Sequence, residues 1–430
     1  MQQAADDQPE LHVGSRDPFL VDPYPFYRAG LAHGPLLLGE DDVSAWDEAA
    51  RQGHDYITNR MQRPDRQVWL LFAHEHCRWA AMEQDSFTVQ RPYTEYHPET
   101  HEALPPIAGL LQSDGDDHGR LLKLIIDAFK PRMIQALEPH VAQITENLLD
   151  AIEDPTQVDL AEALCNPMPV IVIAELLGVP AADRYRFQQW SDEAILYTER
   201  SGRGNNPRFP FGGPAYPALR RYFEPLMAER RAQPRDDLIS AIMQAEKTGH
   251  PVTADEIVHL LILLLIAGNE TTRDLISNAV ITLMEHPEQR QILLQDPERI
   301  PAAIEEVLRY SSAVQFISRN LTREVTLAGR QFGDDAEVVL MLGAANRDPA
   351  VFAKPDRFDI TRANAAKHLT FGIGIHKCVG APLARLEGRI ALQALQSRWP
   401  NWTLLEGSDL PRFTSLQHRG FTRLPMGFST

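Results

Sequence analysis

The sequence predicts a mainly α-helical protein with small β-sheets, an α+β arrangement within one domain spanning 1–430. Three observations predict it. From about 119 to 310 the apolar residues recur at helical spacing. Short strand-like runs appear in both halves, "PLLLG" at 35–39, "QVWLLFA" at 67–73 and further segments within 321–341. Near the end, "VGAPLARLEGRIALQAL" is strongly helical, with Pro382 in its first turn.

Along the chain, the first 115 residues read as a smaller, β-rich part packed on a helix-rich remainder. Its two strands are separated by "EDDVSAWDEAARQGHDYITNRMQRPDR", within a polar insertion at 39–66 that is too long for a hairpin loop. An extra surface helix, a partner site or a solvated insertion fits, and the solvated insertion is the simpler reading. "HEHCRWAAMEQ" follows the second strand as a helix. Two Gly/Pro-rich breaks, 90–113 and 199–217, interrupt the helical region as candidate mobile loops over a site. A long helix is expected over 254–284, opened by a capping box of Thr253 and Glu256. After the strands of 321–341 come a Pro-rich tract, the cysteine loop, its helix, and a last strand pair near 413–428.

Composition narrows the function. With 43% hydrophobic and 23% charged residues the chain reads as soluble and globular, and a net charge of −17 argues against general nucleic-acid binding. The N-terminus has neither a basic head nor an apolar stretch, so no signal peptide or membrane anchor is expected. The longest apolar run, "LLILLLIAG" at 260–268, is far short of a bilayer span. Three widely spaced cysteines suggest no disulfide framework and point to a reducing cytoplasm.

Two stretches carry chemistry. In "FGIGIHKCVG", Phe371, Gly372, Gly374 and Gly380 surround Cys378, which lies just before a helix N-terminus. Free N–H groups there favour a thiolate, and the glycines let backbone approach a large flat ligand. A lone thiolate suits an axial ligand of haem iron, since zinc wants three or four ligands; a buried structural cysteine in a glycine turn is the alternative. In the long helix, the buried run is broken by "NETT", residues 269–272, a cluster of poor helix formers. There the hydroxyl of Thr271 is positioned to capture the carbonyl of Ala267, opening the helix; a polar face reaching solvent is the bland reading. "EEVLRY" sets Glu306 and Arg309 one helical turn apart, and "KPDRFD" adds Arg357 as a third partner for a buried triad.

Together these motifs resemble those of the cytochromes P-450, in the form of the soluble bacterial members. "FGIGIHKCVG" is similar to their haem-binding loop, "AGNETT" to their oxygen-activating motif, and "EEVLR" with "PDRF" to their buried charge network. "DPYPFYRAG", "DDHGRLLKL" and "RGFTRLP" extend the likeness over nearly the whole chain. The resemblance implies a triangular helical domain with haem b between the long central helix and the helix after the cysteine loop. It implies Cys378 as axial ligand of the haem iron, Thr271 with Glu270 as the proton-delivering alcohol–acid pair, and His118, Arg319 and His376 as propionate anchors beside Phe371 and Gly372. One position departs: Leu122 stands where the family often has a further anchoring arginine, so either Lys123 substitutes or one propionate is held differently. By the same likeness Leu110, Leu111, Leu263, Ala267, Val314, Gln315, Ile317 and Leu416 line a largely apolar substrate pocket, with Arg91, Tyr93, Tyr96 and His97 as possible polar contacts.

The expected reaction is monooxygenation by O2, with electrons from a separate ferredoxin or flavodoxin and its reductase, since the chain ends soon after the last helix. Lys123, Lys130, Lys377, Arg385 and Arg389 either form a local basic dock or are solvated helix charges. Alternatives are a peroxygenase or another haem-thiolate enzyme needing no electrons, and a non-catalytic haem carrier or gas sensor. The Glu270–Thr271 pair favours dioxygen, because peroxide arrives already reduced and protonated.

Overall fold

In a computed structural model the chain is described over residues 18–429, except 64, 91–108, 184, 188, 192, 194–214, 248–251 and 414. The framework is a central helix of 32 residues, Ala254–Glu285. Its expected capping box forms: the Thr253 hydroxyl accepts the Glu256 N–H at 3.2 Å, and the Glu256 carboxylate accepts the Thr253 N–H at 2.7 Å. Arg120 donates to the same carboxylate at 2.6 Å, tying a second helix, Gly115–Lys123, to this end. The central helix packs against Pro167–Leu177, Ile300–Tyr310 and Ala381–Arg398, and apolar residues of all four build the largest core.

Five strands form one sheet in the order β1-β2-β8-β5-β3: β1 Leu36–Leu37, β2 Val68–Leu71, β3 Phe87–Thr88, β5 Ile317–Leu321 and β8 Glu337–Leu340. Only β2 and β8 run parallel. Both are buried along their whole length, because alternate side chains enter two different cores: Leu70 and Val339 join Phe26 and Phe72, while Trp69, Leu71, Val338 and Leu340 join Phe87 and Phe332. The N-terminal part is therefore not a β unit of its own; β5 and β8 from the other half complete its sheet.

A second sheet corrects another expectation. Among the described residues there is no strand pair within 413–428. Instead β10, Pro425–Ser429, lies between β4, Val158–Asp159, and β9, Asn401–Leu404. Residues 412–421 make only isolated bridges, Val314 to His418 and Arg412 to Phe421. A small hairpin, β6 Val325–Leu327 with β7 Arg330–Phe332, completes the strands described.

The polar stretch at 39–66 is not a solvated insertion. It holds a helix, Glu48–Met61, capped by the Asp47 carboxylate on the Ala50 N–H at 2.8 Å. Ala50, Gly53, His54, Ile57 and Met61 form its buried face. Gly53 meets Phe26 and Phe19 so closely that a Cβ would sit 2.7 Å from Phe26. The stripe is one helix face, diluted by charged residues on the other.

Candidate active site

Cys378 lies on the loop ahead of the helix Ala381–Arg398. The Cys378 N–H donates to Phe371 O at 2.8 Å, and Gly372 N–H to Leu369 O at 2.8 Å, folding the loop back on itself. Gly372 and Gly374 hold φ of +64° and +79°, the left-handed region that favours glycine. At Gly374 a Cβ would also meet Ala81 O at 2.8 Å, so this glycine answers to the helix His74–Met82 rather than to a flat ligand. Arg385 stacks on Phe371 at 4.6 Å and pairs with Glu305.

Cys77 and Cys165 are buried, whereas Cys378 is open to probe-sized space although it lies deep among protein atoms. That combination describes an internal opening. Burial pushes the Cys378 thiol up, while the N–H groups of Gly380 and Ala381 and the charge of Arg385 oppose the rise without reversing it. The N–H groups at the helix start thus favour the thiolate, as expected, but burial opposes them more strongly.

The central helix opens at the sequence break. Ala267 is exposed, and Ile266, Gly268 and Thr271 are half-buried, although residues on either side are buried. The Thr271 hydroxyl donates to Ala267 O at 2.9 Å, the bond expected from the sequence. The helix nevertheless continues unbroken, so the side chain takes up a carbonyl without opening the backbone. Asn269 turns the other way and donates to the Ser191 hydroxyl at 2.9 Å. Glu270 is buried, with its Oε2 at 3.7 Å from His418 Nε2.

His118, His376 and Arg319 come from three separate segments and converge. The two imidazole rings are 4.4 Å apart in an edge-on arrangement. Beside them stands a residue that sequence reasoning missed, Asp114, which accepts from His376 Nε2 at 2.7 Å, the Thr88 hydroxyl at 2.5 Å and the Val89 N–H at 2.9 Å. Burial alone would raise its pKa, but these donors hold its carboxyl down to about 2. Burial pushes both His118 and Arg319 down, the charge of His376 adds to the effect on His118, and Asp114 opposes it at both. The only sequence signal for Asp114 was a carboxylate four residues before His118. Leu122 is half-buried against the main core, and Lys123 is exposed.

The buried charge network differs from expectation in one member. Arg309 and Glu306 are both fully buried and doubly bonded, Nε and Nη2 each at 2.8 Å. The third arginine is Arg362, whose Nε reaches Glu306 Oε1 at 3.1 Å. Arg357 is exposed and contributes its carbonyl oxygen, which accepts from Arg309 at 3.1 Å and from Arg362 at 2.9 Å. The loop directs the backbone of 357 inward and its side chain outward.

The expected pocket residues divide. Leu263 is buried, Ala267 is exposed, and Val314 and Ile317 are half-buried. Leu110 is buried in the main core, and its neighbour Leu111 is 49% exposed. Gln315 is not available to a ligand: it accepts from the Tyr27 hydroxyl at 2.7 Å and donates to Ser312 O at 2.6 Å. Leu416 packs against the core containing Phe19 and Phe26. Arg91, Tyr93, Tyr96 and His97 lie outside the described residues.

These features fit a haem. A single sulfur donor opens into the interior, and the helix beginning three residues later packs along the central helix, whose mid-section is open at Ala267. Two imidazoles and a guanidinium stand ready for carboxylates. Among the described residues no group of three or more His, Cys, Asp or Glu side chains could hold a metal ion alone. No described helix is long and apolar enough to cross a membrane.

A family model described as Cytochrome P450 matches residues 60–429. Cytochrome P450 107B1 of Saccharopolyspora erythraea is 35% identical over 417 residues, covering 91% of this chain and 99% of its own length. The vitamin D(3) 25-hydroxylase of Pseudonocardia autotrophica is 37% identical over 384 residues, covering 88% and 92% respectively. Among solved structures, P450BioI in complex with an acyl carrier protein ligated to hexadec-9Z-enoic acid aligns with a TM-score of 0.81 at 30% identity, covering 96% of this chain and 99% of that one.

Proposed function

The chain belongs to the cytochrome P450 family as a haem-thiolate monooxygenase, and from that premise we propose that it hydroxylates a large, mostly apolar small molecule of bacterial secondary or catabolic metabolism. Haem b, its family's cofactor, supplies the reductive activation of dioxygen when bound. The remaining work falls to side chains of this chain.

In this reading Cys378 would hold the haem iron through its sulfur, with its backbone kept in place by the Phe371 carbonyl on its N–H. His118, His376 and Arg319 hold the haem carboxylates, with Asp114 fixing the orientation of His376 through a 2.7 Å bond. Thr271 and Glu270 would hold and move protons at the open mid-section of the central helix. The observation that carries this assignment is the 2.9 Å bond from Thr271 to Ala267 O. It aims a hydroxyl into the open mid-section of an otherwise buried helix, beside a buried acid. Leu263, Ala267, Val314 and Ile317 would present apolar surface to the substrate and exclude water.

Electrons come from a redox partner, which we take to be a ferredoxin or flavodoxin. Of the expected basic dock, Arg385 is engaged with Glu305, Arg389 with Glu138 and Lys130 with Asp127. Lys377 and Lys123 are exposed and have no acidic partner among the described residues, which supports a narrow contact centred on the cysteine loop. The P450BioI complex supports a second reading, a substrate presented on an acyl carrier protein.

Two experiments test the proposal. Absorbance titration of the ferric holoenzyme against apolar small molecules should give a low-to-high-spin shift with a free substrate. No shift with free compounds but a shift with an acyl carrier protein loaded with the same acyl chain would favour the tethered reading. Thr271→Ala should lower product formed per electron pair by about a hundredfold, the lower end of the range for one positioned proton donor. Full coupling in that variant would remove Thr271 from proton delivery.

A further inference from the structure

His418 is held more firmly than its place in an irregular segment suggests. Its backbone is flanked by Gln315 N–H to Gln417 O and Arg419 N–H to Ala313 O, each 2.8 Å. The Ser415 hydroxyl accepts its N–H at 3.0 Å, and Asn278 of the central helix donates to Arg419 O at 2.7 Å. The backbone that carries the ring is therefore fixed against the same helix that carries Glu270. Its two nitrogens face different surroundings. Nε2 is 3.7 Å from Glu270 Oε2, and Nδ1 is buried without a protein partner.

His418 also lines a narrow cleft of about 10 Å³, walled by Tyr27, Gln315, Arg412, Ser415 and Arg419 and by apolar residues such as Phe19 and Leu20. Arg412 Nη1, Arg419 Nε and Arg419 Nη1 are buried donors with no protein acceptor, like His418 Nδ1. Such donors are satisfied by water far more often than left bare, and the cleft has room for about one water beside His418 Nδ1. One imidazole thus stands between a buried carboxylate and a polar cleft.

We propose that His418 is the residue through which Glu270 recovers protons from solvent. A cleft water gives a proton to Nδ1 while Nε2 gives its proton to the Glu270 carboxylate. One proton enters and one leaves the ring, which ends as the other neutral tautomer and resets by turning about its Cβ–Cγ bond, so that a protonated nitrogen again faces Glu270. The 3.7 Å separation is too long for a direct hydrogen bond and is closed by a small ring rotation or one bridging water. His418 acts through Glu270, so it is a positioning residue, and the inference rests on the role given to Glu270 above.

The charges around the ring suit a relay rather than a proton store. Burial pushes its pKa down, Asp274 pulls it up and Arg273 pushes it down. Glu270 faces Nε2 from the same helix, Arg419 and Arg412 belong to its own segment, and Tyr27 lines the cleft from the helix Tyr24–His33. A ring that is neutral near pH 7 passes protons on without trapping them.

The test uses the holoenzyme and two kinds of readout. In the first, the His418 ring resonances, assigned by their loss in His418→Asn, are titrated by NMR in the wild type and in Glu270→Gln. Removing the facing carboxylate should lower the His418 pKa by about one unit; an unchanged titration would overturn the contact. In the second, product per NADH is followed against pH for His418→Phe and His418→Asn, with folding checked by circular dichroism. Both should lose coupling by about threefold or more, with the pH dependence flattened. If Glu270→Gln uncouples while both folded His418 variants keep full coupling and the wild-type profile, the relay is wrong and the role of Glu270 stands. If Glu270→Gln itself stays coupled, both fall.

Discussion

Replacing Arg362 by Leu should destabilise this protein strongly, and replacing Arg357 by Leu should not. Arg362 sends Nε to the fully buried Glu306 carboxylate at 3.1 Å and its Nη groups to the carbonyls of Ala353, Lys354 and Arg357 at 2.7, 3.2 and 2.9 Å. Leucine removes all four bonds and leaves Glu306 with Arg309 and the Asp359 N–H. Breaking a buried charge network by taking out one partner costs about 3–5 kcal/mol. An unfolding entropy of about 2.1 cal/mol/K per residue gives about 0.9 kcal/mol/K for a chain of this length, so the loss corresponds to about 3–6 °C in Tm. The exposed Arg357 side chain makes no such contacts, and Arg357→Leu should move Tm by less than about 1 °C. Differential scanning calorimetry of the two holoenzyme variants decides. A larger drop for Arg357→Leu would refute the assignment of the third arginine.

Two further outcomes follow from the site. Asp114 has its carboxyl lowered from 3.8 to about 2, so its contribution to stability is fully present above the ordinary value and is lost as the pH falls through about 2. Asp114→Asn should therefore flatten the acid limb of a denaturation-against-pH curve between those values, and an unchanged limb would show that the His376 contact contributes nothing. Gly374→Ala forces a side chain into φ +79° and a Cβ to 2.8 Å from Ala81 O. It should cost about 1–3 kcal/mol, or about 1–3 °C on the same scale, read by thermal unfolding.

Much of this architecture was legible in the residues because it is local. The Thr253–Glu256 capping box, the Thr271 bond to Ala267 O and the Glu306–Arg309 pair each join groups three or four apart on one helix, where spacing alone dictates contact. The glycine-bounded cysteine loop was legible for the same reason. The helix at 48–61 was legible too, as the stripe Ala50, Gly53, Ile57 and Met61, but the surrounding charges masked it.

The tertiary structure decided everything that depends on which distant segments meet and which way a loop faces. No spacing rule says that the backbone of Arg357 points inward while Arg362 supplies the guanidinium. Nor does one place Asp114 against His376, 262 residues away, or turn Gln315 toward Tyr27 instead of a ligand. The pKa of Cys378 shows the same division. Sequence identifies the helix N–H groups that favour the thiolate, but only the packed chain determines the burial that outweighs them. Local hydrogen bonds are set by short-range geometry along one element, whereas desolvation and long-range pairing are sums over neighbours that exist only once the chain has folded.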